Sequence, residues 1–230
     1  MKVGVVGTGF VGAATAYAMA IRGSASEVVL IDVNEAKAEA EARDIAHATT
    51  FTAPVRVTRG TYTDLAGSRV VVMSAGVNQK PGETRLELLG RNAGIFRAVI
   101  PQIVDNAPEA IITVSANPVD IMTELTERIA YASGARPGSV LGTGTVLDTA
   151  RFRQLVGSHM DVDARHVHGY VFGEHGVSEV LGWSSLDIAG LPVDEFARTV
   201  GVDWTQEDKA DITEKTVRAA YAIIEGKGAT

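Results

Sequence analysis

Hydrophobic residues in the first part of the chain are concentrated in short runs. The runs are too short for helices, most are rich in β-branched residues, and none alternates with polar positions. Strands that are buried on both faces of a parallel sheet have this pattern. We therefore predict parallel strands at Val3–Val6, Val28–Ile31, Val70–Met73 and Ile111–Val114.

Segments of helical character lie between these runs. They include Val11–Arg22, the alanine- and glutamate-rich Glu35–Ala46, and Arg85–Val104. Because strands and helices alternate, we predict an α/β fold with a doubly wound parallel sheet of the Rossmann type over residues 1–142.

The pattern changes after about residue 142. We predict a second, α+β domain over residues 143–230 that supplies catalytic groups. Its expected elements are a helix at Val146–Val156, a strand at His166–Phe172, an apolar segment at Val177–Ile188 and a late helix at Glu207–Ile224.

A glycine-rich loop follows the first predicted strand and opens the first helix. In Gly7-Thr8-Gly9-Phe10-Val11-Gly12, the first glycine permits a tight turn, the second lets a pyrophosphate approach the backbone, and the third allows close helix–strand packing. The second strand ends at Asp32, whose carboxylate suits ribose hydroxyls and repels a 2′-phosphate. The loop therefore predicts NAD binding; the alternative is a glycine-rich packing turn.

Charge and composition exclude several classes of partner and site. The formal net charge of −7 disfavours nucleic acid and membrane surfaces. The chain has no cysteine, which excludes disulfides and thiolate metal sites, and we predict no metal. Neither a signal peptide nor a membrane-spanning apolar run is recognisable, so we expect a soluble cytoplasmic protein.

The second domain contains residue types suited to proton transfer and anion binding. Asp148 and Arg151 are three residues apart and share one face of the predicted helix, and His175 lies between small residues in Gly173-Glu174-His175-Gly176. A histidine can transfer a proton, a carboxylate can orient that histidine, and an arginine can bind an anionic substrate. The alternative is a pair of structural ion pairs.

Together with the glycine loop, four separated motifs resemble the lactate/malate dehydrogenase family, and within it the bacterial L-lactate dehydrogenases. Their order along the chain makes the resemblance specific. The motifs are Ser74-Ala75-Gly76-Val77-Asn78-Gln79-Lys80-Pro81-Gly82-Glu83-Thr84-Arg85-Leu86, Asn117-Pro118-Val119-Asp120, Asp148-Thr149-Ala150-Arg151 and Gly173-Glu174-His175-Gly176.

The resemblance implies a role for each catalytic residue. His175 donates and accepts the proton, Asp148 orients the His175 imidazole, and Arg85 polarises the substrate carbonyl. Substrate contacts are implied for Gln79, Arg85, Asn117, Arg151 and Thr230. Cofactor contacts are implied for Gly7, Gly9, Phe10, Val11, Gly12, Asp32, Lys37, Tyr62, Gly76, Val77, Ser115, Asn117 and Thr143.

Gln79 bears on the choice of substrate. Family members that reduce oxaloacetate typically carry an arginine on this loop, and an amide cannot neutralise a second substrate carboxylate. We therefore expect pyruvate and L-lactate as substrates, with malate dehydrogenase as the alternative. The neighbouring Lys80 keeps that alternative open, because a one-residue shift would bring a cation to the same place.

The resemblance also implies regulation and assembly. In bacterial lactate dehydrogenases, residues at the positions of Arg153 and His168 bind fructose 1,6-bisphosphate across a two-fold axis, and both residues are present here. Activation by this sugar bisphosphate and a homotetramer (a dimer of dimers) are therefore hypotheses. The alternative for Arg153 is an ion pair at an interface.

Two departures from the family pattern affect these expectations. Val177 occupies a position that is usually aspartate, which puts the pH optimum in question. Family members continue well beyond the position of Thr230, so the second domain is expected to be C-terminally incomplete. A non-catalytic fragment that binds NAD is accordingly a further alternative.

Overall fold

A computed structural model describes residues 1–77 and 85–227 of the chain, with the backbone alone at Arg85. The chain divides into two compact units, Met1–Gly142 and Thr143–Thr230.

The first unit is built on six parallel strands in the order β3-β2-β1-β4-β5-β6. This order has its switch point between β1 and β4, where sheets of this kind bind ligands at the carboxyl ends of the strands. The predicted Rossmann-type sheet is confirmed. The strands are β1 (Lys2–Val6), β2 (Glu27–Ile31), β3 (Arg56–Arg59), β4 (Val70–Met73), β5 (Ile111–Val114) and β6 (Val140–Gly142).

The helices of this unit begin and end at recognisable signals. The side chain of Asn34 accepts a hydrogen bond from the Lys37 amide at 3.1 Å and caps the start of α2. Gly23 ends α1 in the left-handed conformation, with φ of 62°. The helices are α1 (Phe10–Arg22), α2 (Glu35–Ala48), α3 (Arg85–Asn106) and α4 (Val119–Ala132).

Two apolar clusters form the core of the first unit. One contains fully buried residues of α3 and α4, such as Phe96 and Met122, together with strand residues. The other contains Val5, Ala16 and Leu30. Apolar clusters of this size hold the strands of the sheet in place, and with them the loops at the strand ends.

The second unit packs short strands and three helices around its own core. Phe152, Val156, Val167 and Ile188 are buried together, and the Phe152 ring meets Trp183 edge-on at 4.8 Å between centroids. No helix in the described ranges is both long and apolar enough to cross a membrane. The elements are α5 (Val146–His159), β7 (Val167–His168), β8 (Val171–Phe172), β9 (Val180–Leu181), β10 (Asp187–Ile188), β11 (Leu191–Pro192), α6 (Val193–Val200) and α7 (Gln206–Lys227).

The prediction of one strand over His166–Phe172 is wrong. The segment forms two strands in different sheets, since β7 pairs with β10 and β8 pairs with β9. Gly169 separates them in a place where a Cβ would lie only 2.7 Å from Cδ1 of Leu186. The chain therefore changes sheet at a point where a larger residue would force the Leu186 and Phe152 side chains to shift.

Candidate active site

The glycine loop joins β1 to α1 at the carboxyl end of the sheet. A Cβ at Gly7 or Gly12 would collide with backbone atoms of Ala75 or Gly7, respectively, and Gly7 has φ of 97°. A Cβ at Gly9 would meet nothing within 4 Å. Packing therefore requires the first and third glycines, whereas the second leaves open space next to the backbone.

Asp32 lies beside this loop at the end of β2. Its carboxylate accepts hydrogen bonds from the amide of Thr8 at 2.7 Å, the Thr8 hydroxyl at 3.0 Å and the amide of Asn34 at 2.9 Å. Burial acts to raise the pKa of Asp32, but the hydrogen bonds from Thr8 and Asn34 outweigh it, and the pKa is lowered from its usual value. Asp32 is thus ionised at neutral pH.

The start of α1 suits an anion. Gly9, the N-terminal cap, offers no side-chain acceptor to the amides of the first turn, and these amides carry the positive end of the helix dipole. Phe10 and Val11 in that turn are exposed. Open space at Gly9, amide donors and an ionised carboxylate together fit a dinucleotide with free ribose hydroxyls.

Asn92 connects several predicted site residues. It is buried in α3, and its Oδ1 accepts the Val77 amide at 2.9 Å while its Nδ2 donates to the Asn117 carbonyl at 3.4 Å. The sequence analysis missed this residue. The sequence offered no clear signal for it, because α3 carries other polar side chains, such as Arg91 and Arg97.

The remaining predicted cofactor residues are spread over both units. Gly76 packs near the Asn92 amide, and the Ser115 hydroxyl donates to the Met73 carbonyl at 3.4 Å. Tyr62 is half-buried, and its pKa is raised by burial and by the charge of Asp32. Lys37 lowers the pKa of Asp32 through its charge. Thr143 belongs to the second unit, where its carbonyl accepts the Val146 amide at 3.2 Å.

The second unit brings His175, Asp148 and Arg151 together. Nδ1 of His175 is 2.5 Å from Oδ2 of Asp148, and Nη1 of Arg151 donates to Oδ1 of Asp148 at 2.8 Å. Asp148 is 2% exposed, so both interactions are shielded from water. A buried carboxylate between an imidazole and a guanidinium can fix the imidazole tautomer and stabilise its charged form.

Two threonines of the α5 region hold the histidine loop against the helix. The Thr145 hydroxyl donates to the Val171 carbonyl at 2.6 Å, and the Val171 amide donates to Thr149 Oγ1 at 3.0 Å. These bonds fix β8, which leads into the loop 173–179 that carries His175. The distance between His175 and Asp148 is therefore set by backbone contacts as well as by the ion pair.

Glu179 is a further acidic group at this site, and the sequence analysis missed it. The residue is buried next to Asp148 and His175, and ligand-type atoms of the three side chains lie within 4.8 Å of one another. Burial and the charge of Asp148 raise its pKa to about 7. Because the Arg151 guanidinium already neutralises Asp148, the cluster suits proton transfer better than a cation.

Some predicted residues cannot be placed. Gln79, the side chain of Arg85 and Thr230 lie outside the described residues.

Arg153 on α5 and His168 on β7 lie near each other. Arg153 Nε donates to the carbonyl of Gly169, the neighbour of His168, at 2.8 Å, and its guanidinium lies 4.9 Å from the Tyr170 ring centroid. His168 is exposed on β7. A cavity of about 600 Å³ lies beside Arg153 and is also lined by Arg165 and Tyr170.

Two family models together match nearly the whole chain. Residues 1–142 match the family described as "lactate/malate dehydrogenase, NAD binding domain". Residues 145–230 match "lactate/malate dehydrogenase, alpha/beta C-terminal domain".

Individual relatives and solved structures agree with these matches. The chain is 54% identical over 230 residues to an L-lactate dehydrogenase of Chloroherpeton thalassium, covering 100% of the chain and 74% of the relative. It is also 54% identical to that of Thermus aquaticus, of which it covers 73%. A solved minor L-lactate dehydrogenase from Enterococcus mundtii superimposes with a TM-score of 0.93 at 44% identity, over 100% of this chain and 72% of that one.

Proposed function

The chain belongs to the lactate/malate dehydrogenase family and is an NAD-dependent oxidoreductase, and from this premise we propose that it interconverts L-lactate and pyruvate, with His175 moving the proton. The observation that carries the proposal is the contact of 2.5 Å between His175 and the buried Asp148, with Arg151 on the same carboxylate. The glycine loop and Asp32 would hold NADH, which when bound would supply a hydride to the carbonyl carbon of pyruvate.

The proton reaches the substrate through His175. Because Nδ1 faces Asp148, Nε2 is the nitrogen that presents a proton to the carbonyl oxygen. In the reductive direction the imidazolium gives this proton to the developing alkoxide, and lactate is formed. In the oxidative direction the neutral imidazole removes the hydroxyl proton, and Asp148 stabilises the resulting positive charge.

Arg151 holds the substrate carboxylate in this proposal. Its planar guanidinium uses Nη1 toward Asp148, and the rest of its fork is suited to a carboxylate. Arg85 is proposed to polarise the carbonyl, and Gln79, Asn117 and Thr230 to contribute to the substrate pocket, on the strength of the family resemblance.

The test of the substrate is NADH oxidation by the purified chain with pyruvate and oxaloacetate in parallel. We expect kcat/KM to be higher for pyruvate by about tenfold to a hundredfold, because Gln79 leaves a second carboxylate without a counter-charge. A preference for oxaloacetate would favour malate dehydrogenase. Measurable NADH binding without turnover of either acid would favour the non-catalytic alternative.

A regulatory function is a second proposal, and the contact of Arg153 with Gly169 favours it. This contact holds the Arg153 guanidinium against Gly169, the residue that follows His168. Two copies of Arg153 and His168 would form a cationic pocket for fructose 1,6-bisphosphate. The proposal includes a homotetramer, a dimer of dimers, located in the cytoplasm. Assembly and location rest on the family resemblance alone.

Fructose 1,6-bisphosphate is expected to lower the pyruvate concentration at half-maximal rate. The shift is about 5- to 100-fold if the coupling free energy is of the usual size, and Arg153→Gln abolishes it without changing the basal rate. The measurement is a pyruvate titration with and without saturating bisphosphate, together with sedimentation to follow assembly. Unchanged kinetics in the wild-type chain would refute activation.

A further inference from the structure

The hairpin that carries His175 returns a second carboxyl group to the same place. The loop leaves β8, passes His175 and re-enters the sheet at β9, immediately after Glu179. The Glu179 amide donates to the Gly176 carbonyl at 3.2 Å, which closes the loop. The side chain of Glu179 is thereby directed inward, where it is 9% exposed.

The surroundings of the two carboxyl groups indicate which of them holds a proton. One carboxyl oxygen of Asp148 and one of Glu179 lie within 4.8 Å of each other in a buried cluster, where two negative charges side by side are unfavourable and one of the two groups tends to hold a proton. Both oxygens of Asp148 already face donors, Oδ1 toward Arg151 and Oδ2 toward His175. Oε1 of Glu179 is buried without a hydrogen-bond partner among the described residues. The proton therefore belongs to Glu179.

We propose that Glu179 is a positioning residue that sets the proton affinity of His175 by acting through Asp148. While Glu179 is protonated, its hydroxyl donates to Asp148 and weakens the pull of that carboxylate on the imidazolium. When Glu179 loses its proton to solvent, a second negative charge appears beside the pair, and His175 holds its own proton more tightly. The inference rests on the proposed role of His175 in the reaction.

The charged groups around Glu179 support this exchange near neutral pH. Asp148 raises the pKa of Glu179, whereas His175 and Arg151 lower it, and burial, the largest effect, leaves the pKa at about 7. The other acidic residue of the loop, Glu174, is exposed and accepts a hydrogen bond from the Ser178 hydroxyl at 2.9 Å. Val177 cannot titrate. Glu179 is thus the acid that couples to the pair.

The test is the pH dependence of kcat/KM for pyruvate at saturating NADH in Glu179→Gln. An amide resembles the protonated carboxyl but cannot ionise. We expect the profiles to coincide below about pH 6, where Glu179 is neutral in the wild type. The alkaline limb, where the imidazolium is lost, moves to lower pH by about one unit, and the rate there falls by about tenfold.

Glu174→Gln is the matched control, because it removes an exposed carboxylate from the same loop. We expect its profile to follow the wild type. An unmoved alkaline limb in Glu179→Gln would overturn the inference, as would an equal shift in both variants. Full activity of His175→Asn would instead refute the proposed function, so that the two failures are distinguishable.

A measurement on the wild-type chain decides the question if Glu179→Gln fails to fold. Carbon-13 NMR of labelled glutamate carboxyls, recorded as a pH titration, follows each acid directly. One carboxyl that titrates near pH 7 is the expected result. Titration of every glutamate below about pH 5.5 would overturn the inference.

Discussion

Replacing His175 by asparagine is expected to lower kcat for pyruvate reduction by about 10²- to 10⁴-fold, the range typical of a lost general acid. Asparagine can still donate a hydrogen bond toward Asp148, so the fold of the loop is retained, but it cannot transfer a proton at neutral pH. NADH binding is expected to stay unchanged, because the glycine loop and Asp32 belong to the other unit. Steady-state kinetics and fluorescence titration of NADH measure the two quantities.

His47→Asn is the control for this substitution. His47 is an exposed residue in the last turn of α2, in the first unit, and its replacement is expected to leave kcat unchanged. If His175→Asn retained more than about a tenth of the wild-type rate, His175 would not be the proton donor.

Replacing Arg151 by lysine is expected to lower kcat/KM for pyruvate by about 10²-fold, equivalent to ~3 kcal/mol of transition-state binding. Lysine keeps the positive charge but cannot bind a carboxylate through two parallel hydrogen bonds. Most of the effect is expected in KM, since the carboxylate is held in substrate and transition state alike. Initial rates over a wide pyruvate range give both parameters.

Arg165→Lys provides the comparison for Arg151→Lys. The Arg165 side chain is exposed and pairs with Asp163 at 2.6 Å in the same unit, so its exchange tests the loss of an arginine that does not contact Asp148. Its kinetic constants are expected to match the wild type. Equal losses in the two variants would argue against substrate binding by Arg151.

The central strands could be predicted from the sequence because they are buried on both faces. Val70–Met73 and Ile111–Val114 have the predicted bounds, since short runs rich in apolar and β-branched residues are typical of interior strands. The edge strand Arg56–Arg59 has a single buried residue, Val57, and gives no such signal. In the second unit, the strands are two residues long, which is too short to show a period of alternation. The sequence therefore could not predict them, nor the change of sheet at Gly169.

The residues of the candidate active site also differ in whether local or long-range information reveals them. Asp148 and Arg151 could be placed on one helix face from their spacing, and His175 could be added from the motif that carries it. The contact of Asp148 with His175 joins residues 27 positions apart and depends on how β8 docks on α5. Asn92 and Glu179 were missed because their roles come from burial, which neighbouring residues in the sequence do not reveal.

The division of the chain at Gly142 also bears on how such an enzyme can evolve. The glycine loop and Asp32 lie within one unit, whereas His175, the proposed proton-transfer group, lies within the other. Mutations near the glycine loop and mutations near His175 therefore act on apolar cores that are separate from each other. Selection can therefore change the packing of one core without a compensating change in the packing of the other.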